Sequence, residues 1–405
     1  MTLKFSVLLP TRNRLEYLRY AVETVRRQDY DDWEIVIADN NSDDDIAGFV
    51  QELDDSRIKY SRSNRFLPVT DNWNRALELS SGDLVIMLGD DDGLMKGYFT
   101  RAQNLVAKFD SPDLIYSSGY LYAYPGVLPK YPDGILHHYR NATFLQAESD
   151  PFLFSHESAM KLVHDSLDFK MKFTYNMQYS LFGRSLVDDL LRDGPFFQSP
   201  FPDYYATNVM FMKAKKILID PEPTVAVGIT PKSYGFFLFN NREGEGVEFL
   251  NSPGALSKLT PKGLPILPGT NMNNSWLLAM ETMAQNYGLS LNYSRYRRLQ
   301  ILSVLRSRVE GQLPDEAYRT FWTQTRPLER AIYRPALSAI SWIQRTLRGK
   351  SRLVFRRLVG ASARWFRASN EWLPQAEARS YSNMLEVFEG VTSSAESFRS
   401  GSSTS

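Results

Sequence analysis

Cysteine is absent from all 405 residues, which excludes disulfides and any chemistry that needs a thiolate. Histidine is scarce: His137, His138, His156 and His164 are the only four, and all precede residue 203. No uninterrupted apolar run approaches the length needed to span a bilayer. A secretory leader is not expected either, because the strand-like "KFSVLLP" starts too soon and lacks a cleavage site. The expected address is therefore cytoplasmic. Glycine is missing from "LLPTRNRLE", where a nucleotidyltransferase would carry a glycine-rich, lysine-containing phosphate loop.

What is present describes a soluble globular chain. Hydrophobic residues make up 43% and charged residues 23%, ordinary values for a packed protein. The length suits one large domain with an appendage, or two domains. The net charge of +1 hides an asymmetry: between Arg326 and Arg367 eleven basic residues face Glu329 alone, a net +10 that leaves −9 for the rest.

The first hundred residues alternate two periodicities. "FSVLLP", "WEIVIAD", "RIKYSRS" and "DLVIML" are short apolar or alternating runs of strand type; "LEYLRYAVETVRRQ", "IAGFVQEL" and "VTDNWNRALELS" repeat at helical spacing. Strand–helix alternation predicts parallel βαβ units with right-handed crossovers. The expected fold class is thus α/β: a Rossmann-like, doubly wound, mostly parallel sheet, followed by a C-terminal helical region. Ligands of such sheets bind beyond the carboxyl ends of the strands, where Thr11, Asp39 and Asp90 to Asp92 fall. Further on, a Tyr/Pro/Gly-rich loop is expected to about Asn141, and "KILIDPEPTVAVGIT" reads as two strands split by a turn. The expected division is a domain over 1–240 (halves 1–125 and 126–240), a loop or linker over 241–274, a basic helical region over 275–390 and a disordered tail over 391–405.

"GDLVIMLGDDDGL" carries the sharpest signal. An apolar run delivers Asp90, Asp91 and Asp92 to the end of a buried strand. Adjacent carboxylates repel unless a cation or several hydrogen bonds intervene. Hard oxygen ligands suit Mg²⁺ or Mn²⁺, which use one or two carboxylates plus substrate phosphates. The bland alternative is a solvated turn, where Asp is common. Asp39, in "IVIADNNSDDD", reads either as an acceptor for a nucleobase N–H or ribose hydroxyl, or as a turn or cap residue.

Taken in order, "SVLLPTRNRLEYLRYAVETVRRQDYDDWEIVIADNNSDDD" and "NWNRALELSSGDLVIMLGDDDGL" resemble the nucleotide-sugar-binding half of family 2 glycosyltransferases of the GT-A fold. The likeness is close over about residues 4 to 125 and loose to about 240. It implies an inverting, metal-dependent transferase acting on a nucleotide-sugar donor, UDP-linked by default, with Mn²⁺ or Mg²⁺. Pro10, Thr11 and Asn13 would line the nucleotide pocket, Asp39 would face the base, and Asn72 or Asn74 would help hold the nucleotide. The acidic triplet would be the DXD element; Gly89 stands where members commonly carry its first Asp, so Asp91–Asp92 and Asp90–Asp92 both remain open as the metal pair. Asp203, in "SPFPDYYATN", would be the base that deprotonates the acceptor hydroxyl; its bland alternative is a helix cap. Asp188, Asp189 and Asp193 read as solvated faces of an amphipathic helix. The implied acceptor is a glycan or lipid-linked hydroxyl in cell-surface polysaccharide synthesis. "GITPKSYGFFLFNN", with Lys232, Ser233 and Tyr234, is either a lid over the donor or a surface loop.

The basic segment, residues 326–372 with Trp342, Trp365 and Trp372, reads as amphipathic helix. Such helices lie in an anionic membrane interface anchored by Trp, which would make the chain peripheral on the inner face of a membrane. Packing on the chain's own acidic surface is the alternative. Nucleic acid ranks last, since no recognition module accompanies the charge. Oligomeric state has no signature. Two other functions share parts of the pattern: a nucleotidyltransferase on sugar phosphates, and a non-catalytic scaffold on the same fold.

Overall fold

The computed structural model describes residues 2–139, 142–145, 148–172, 175–240, 242–251, 266–267, 272–309, 315–335 and 380–391. The basic segment beyond residue 335, with Trp342, Trp365 and Trp372, and the tail from 392 lie outside them.

Every residue of β2 (Trp33–Asp39) is buried, as are all of β1 (Phe5–Thr11) except Pro10. Continuous apolar runs of this kind belong inside a sheet covered on both faces. β1 pairs in parallel with β2 and with β4 (Leu84–Met87), and β2 with β3 (Ile58–Arg62). The crossovers are α1 (Leu15–Arg26), α2 (Ile46–Leu53) and α3 (Val69–Glu78). α1 buries Leu18, Ala21, Val22 and Val25, one stripe at helical spacing. The Asp45 carboxylate accepts from Gly48 N and so starts α2.

The sheet continues with β5 (Gly93–Leu94), α4 (Tyr98–Lys108), β6 (Leu114–Ala123), β7 (Ile135–Tyr139), β8 (Phe152–Phe154), α5 (His156–Leu167), β9 (Ser180–Gly183), α6 (Arg184–Leu191), α7 (Pro202–Lys213) and β10 (Ile217–Ile229). Its order is β3-β2-β1-β4-β9-β6-β10-β5, with β7 on β6 and β8 on β10. β9 runs antiparallel to both neighbours, while β6 and β10 are parallel to each other. Strand order reverses between β1 and β4, which opens the ligand crevice at their carboxyl ends.

Two expectations about the second half need correction. The stretch expected as loop to Asn141 contains β7, paired with β6 from Gly119↔Tyr139 to Ala123↔Ile135. The "KILIDPEPTVAVGIT" stretch forms a single strand, β10, whose register shifts between Asp220 and Val225. Pro221 and Pro223 have no N–H to give the ladder, so the strand bulges there and resumes.

Beyond the sheet come α8 (Tyr234–Phe239), α9 (Glu243–Asn251), α10 (Met272–Tyr287), α11 (Tyr293–Val309), α12 (Asp315–Thr323), a helical stretch over 327–335, and α13 (Met384–Gly390). α9 falls where a linker was expected. α10 packs on α7 and α5 and sends fully buried Trp276 into the main core. α13 returns to the N-terminal domain: Met384, Val387 and Phe388 are buried, and Met384 lies against Gly93 of β5. No described helix is long and apolar enough to cross a membrane.

Candidate active site

The parallel register brings the crevice residues together. Thr11 at the end of β1 is the partner of Asp39 at the end of β2, and Asp39 is the partner of Arg62 on β3. β4 runs beside β1 and stops at Met87, so Asp90 to Asp92 emerge at the same edge.

Arg14 is the N-cap residue of α1, and its guanidinium meets the acidic run: one terminal nitrogen lies 2.5 Å from Asp90 Oδ1 and 3.5 Å from Asp91 Oδ1. Asp91 Oδ2 accepts from the Thr230 hydroxyl at 3.1 Å. Asp92 turns the other way. Its Oδ1 accepts from Gly228 N at 2.7 Å, and its Oδ2 from Gly89 N at 2.8 Å and the Gln178 amide at 2.5 Å. Both oxygens of Asp92 are thus committed to the protein, whereas Asp90 and Asp91 face the Arg14 guanidinium. Among the described residues no cluster of three acidic or histidine side chains is arranged to hold a metal. The donor set still fits Mg²⁺ or Mn²⁺ in the manner expected of such ions, with two hard carboxylates and the remaining positions left to phosphate and water.

The electrostatics follow from burial. All three aspartates are buried, and loss of solvent pushes the Asp91 carboxyl up to about 6, with Arg14 pulling the other way. Burial, then the neighbouring charge of Asp91, raises Asp92 as well. For Arg14 burial works against the charge, but Asp90 and Asp91 outweigh it and bind the guanidinium proton more firmly than usual.

Gly228 shows why the strand beside the run needs glycine. A Cβ there would lie 1.9 Å from the Asp91 carbonyl oxygen. β10 can approach the acidic run closely enough to bond Asp92 only where no side chain intervenes.

The nucleotide-side residues divide by what their side chains do. Thr11 Oγ1 is buried with no hydrogen-bond partner among the described residues, a polar atom left for a ligand. Asp39 is buried; Oδ1 accepts from Ser42 N and Oδ2 from the Tyr60 hydroxyl. Burial and this bond push the Tyr60 phenol up to about 12. Pro10 closes β1. Asn13, at φ 54°, is occupied with the next loop: its amide oxygen accepts from Asp43 N and its backbone N–H donates to Ser42 Oγ. Asn72 donates to Ala38 O and accepts from Arg75, while Asn74 exchanges two bonds with the Phe197 backbone. In this structure Asn72 and Asn74 act as braces for β2 and for the loop leading into α7.

Asp203 stands at the start of α7, just after Pro202, and its carboxylate accepts from Tyr204 N. Burial pushes it up to about 7, with that bond pulling only weakly the other way. The Thr207 hydroxyl, one turn on, bonds Tyr175 O and touches Met177, the neighbour of Gln178. One short segment thus links α7 to the acidic run. Asp188 and Asp189 lie on α6, and Asp193 beyond its end pairs with Lys213. His137 and His138 lie on β7, away from the loop expected for them, and His138 Nε2 is 3.3 Å from the Ser118 hydroxyl.

The "GITPKSYGFFLFNN" segment bonds the crevice directly. Lys232 donates to Asn13 O and pairs with Glu16, Ser233 Oγ bonds Thr230, and the Tyr234 and Ser275 hydroxyls lie 3.1 Å apart. Arg14, Gln178, Gly228 and Thr230 are the site residues that sequence reasoning missed. Arg14 alone had a local signal, as the second cation of "TRNR".

A doubly wound, mostly parallel sheet with an acidic strand end beside a polar crevice is consistent with the expected GT-A-type architecture. Residues 6–163 match the family described as Glycosyl transferase family 2. The likeness to that family is confined to this segment, under half of the chain. Over 97 residues it is 41% identical to the GalNAc(5)-diNAcBac-PP-undecaprenol beta-1,3-glucosyltransferase of Campylobacter jejuni, covering 23% of this chain and 31% of that one. Over 135 residues it is 30% identical to the putative colanic acid biosynthesis glycosyl transferase WcaA of Escherichia coli, covering 31% and 48%. The matched segments thus span about a third to a half of these relatives. Among solved structures, S. aureus TarS 1-349 in complex with UDP-GlcNAc aligns with a TM-score of 0.47 at 15% identity, over 76% of this chain and 92% of that one.

Proposed function

We propose that this protein is an inverting glycosyltransferase that moves a sugar from a nucleoside-diphosphate donor, UDP-linked in the first instance, to a hydroxyl of a lipid-linked or glycan acceptor. The observation that carries the reading is the acidic end of β4, with Asp90 and Asp91; Asp203, its carboxyl raised by burial at the head of α7, is a second carboxylate station.

Each station has a separate task. Asp90 and Asp91 would hold Mn²⁺ or Mg²⁺, which when bound stabilises charge on the departing diphosphate. Thr11 offers its unpartnered hydroxyl to the nucleotide, beside Asp39, whose carboxylate is held by Ser42 N and the Tyr60 hydroxyl. Asp203 would take the acceptor's proton as the hydroxyl attacks. A base whose pKa lies near the working pH balances correct protonation against driving force, and about 7 meets that condition. Asp92 has a supporting role, fixing the loop to β10.

The names of two relatives specify diphosphoundecaprenol-linked sugars: the Campylobacter jejuni glucosyltransferase and the UDP-Glc:alpha-D-GlcNAc-diphosphoundecaprenol beta-1,3-glucosyltransferase WfgD of Escherichia coli, 30% identical over 87 residues. They support a lipid-linked acceptor presented at a membrane. On this chain Leu328 and Ile332, 71% and 55% exposed, lie one turn apart between Arg326, Arg330 and Arg334, a pattern suited to an anionic interface. The test is a panel of nucleotide sugars with Mn²⁺, scored for donor turnover in wild type and Asp203→Asn. Turnover with one donor, lost in Asp203→Asn, is the expected result; equal turnover in both removes Asp203 as base. No turnover and no nucleotide-induced thermal shift would leave a scaffold.

A further inference from the structure

Arg14 is the one basic residue in contact with the Asp90–Asp91 pair among the described hydrogen bonds and ion pairs. Its side chain is 12% exposed. The backbone below it is fixed: Arg14 O accepts from Tyr17 N and Leu18 N in the first turn of α1. The head group therefore moves only through its own side-chain torsions. On its other side the guanidinium lies 5.5 Å from the ring centre of Phe249 on α9. Next to Arg14, Asn13 O accepts from Lys232, which precedes α8. One arginine thus touches both the acidic pair and the helical segment that follows Lys232.

We propose that Arg14 is a displaceable internal counter-ion, a positioning residue that neutralises Asp90 and Asp91 until a divalent cation takes its place. The proposal rests on the metal reading of the same two carboxylates. Two neighbouring buried carboxylates gain from a cation between them, and here a guanidinium nitrogen is already in contact with Asp90 Oδ1. A divalent ion on the same two carboxylates would stand beside the guanidinium, like charge against like charge. The ion and the Arg14 contact therefore compete for the pair. The guanidinium set free has a planar fork suited to phosphate, and its departure also breaks its contact with Phe249.

The test is Mn²⁺ alone, titrated calorimetrically into the full chain with no nucleotide. Removing the competitor in Arg14→Ala is expected to tighten Mn²⁺ binding by about tenfold, equivalent to ~1.4 kcal/mol, with Arg14→Lys in between. Mn²⁺ should also raise the melting temperature of Arg14→Ala more than that of wild type. A purely structural Arg14 would lower stability without improving the metal's affinity, so unchanged or weaker Mn²⁺ binding overturns the proposal. Should Arg14→Ala fail to fold, Arg14→Lys and Arg14→Gln carry the same comparison. The metal reading fails separately, and takes the proposal with it, if wild type and all Arg14 variants ignore Mn²⁺ even with UDP present.

Discussion

Replacing Asp203 with Asn probes the site through stability as well as turnover. Burial raises the carboxyl from an ordinary 3.8 to about 7 in the folded chain. The sign follows from linkage: a raised folded-state pKa gives stability that is full below the unfolded value and lost as pH climbs through the folded one. Between pH 5 and 7 the unfolded state has already ionised while the folded state still holds its proton. Each pH unit then removes about 1.4 kcal/mol, so wild type should lose roughly 3 kcal/mol over those two units, or about 2 after allowing for the carboxylate's partial exposure. The side-chain amide of Asp203→Asn cannot ionise, and Asp91 and Asp92 titrate alike in both proteins. Urea unfolding at pH 5 and pH 8 therefore isolates one group. The stability difference between Asp203→Asn and wild type should move in the variant's favour by about 2–3 kcal/mol from pH 5 to pH 8. Transfer by wild type should rise with pH through about 7 and be lost in the variant. Parallel stability curves would refute burial as the cause of the shift.

Other perturbations act on the scaffold around the acidic run. Gly228→Ala places a methyl group against the Asp91 carbonyl and should force β10 away from Asp92, costing on the order of 3 kcal/mol as read by chemical denaturation; a loss under about 0.5 kcal/mol, the scale of an ordinary surface change, would mean the strand yields freely. Phe388→Ala removes a buried ring of α13 and should cost about 3–5 kcal/mol, with faster amide exchange at Gly93 and Leu94 of β5. Unchanged exchange there would show that α13 does not brace the loop after the acidic run.

The first half of the fold was legible because its determinants are local. β1, β2 and β4 carry their burial as apolar runs, and their parallel alternation with helices places Thr11, Asp39 and Asp90 at one edge whatever the details. The second half depends on distant pairings. β9 reaches β4 only after a long excursion and runs against it, and no local pattern encodes that direction. The two prolines of β10 read as a turn, whereas pairing with β6 on both sides holds the strand through them.

The same limit governs the site. Three adjacent aspartates look equivalent in the sequence, yet Asp92 turns inward because Gly89, Gly228 and Gln178 converge on it, and two of those donors come from far along the chain. Asn72 and Asn74 look like nucleotide contacts, and only tertiary structure reveals that Ala38 and Phe197 already engage them. Arg14 sits 76 residues from Asp90, so their pairing is invisible until β1 and β4 lie side by side.

The central claim is that Asp90 and Asp91 act together on a donor's diphosphate. Its most direct test is calorimetric titration of UDP into wild type and into Asp90→Asn/Asp91→Asn, each with saturating Mn²⁺. Saturable uptake by wild type that disappears in the double variant is the expected result. Equal uptake by both proteins, or none by either, would contradict it.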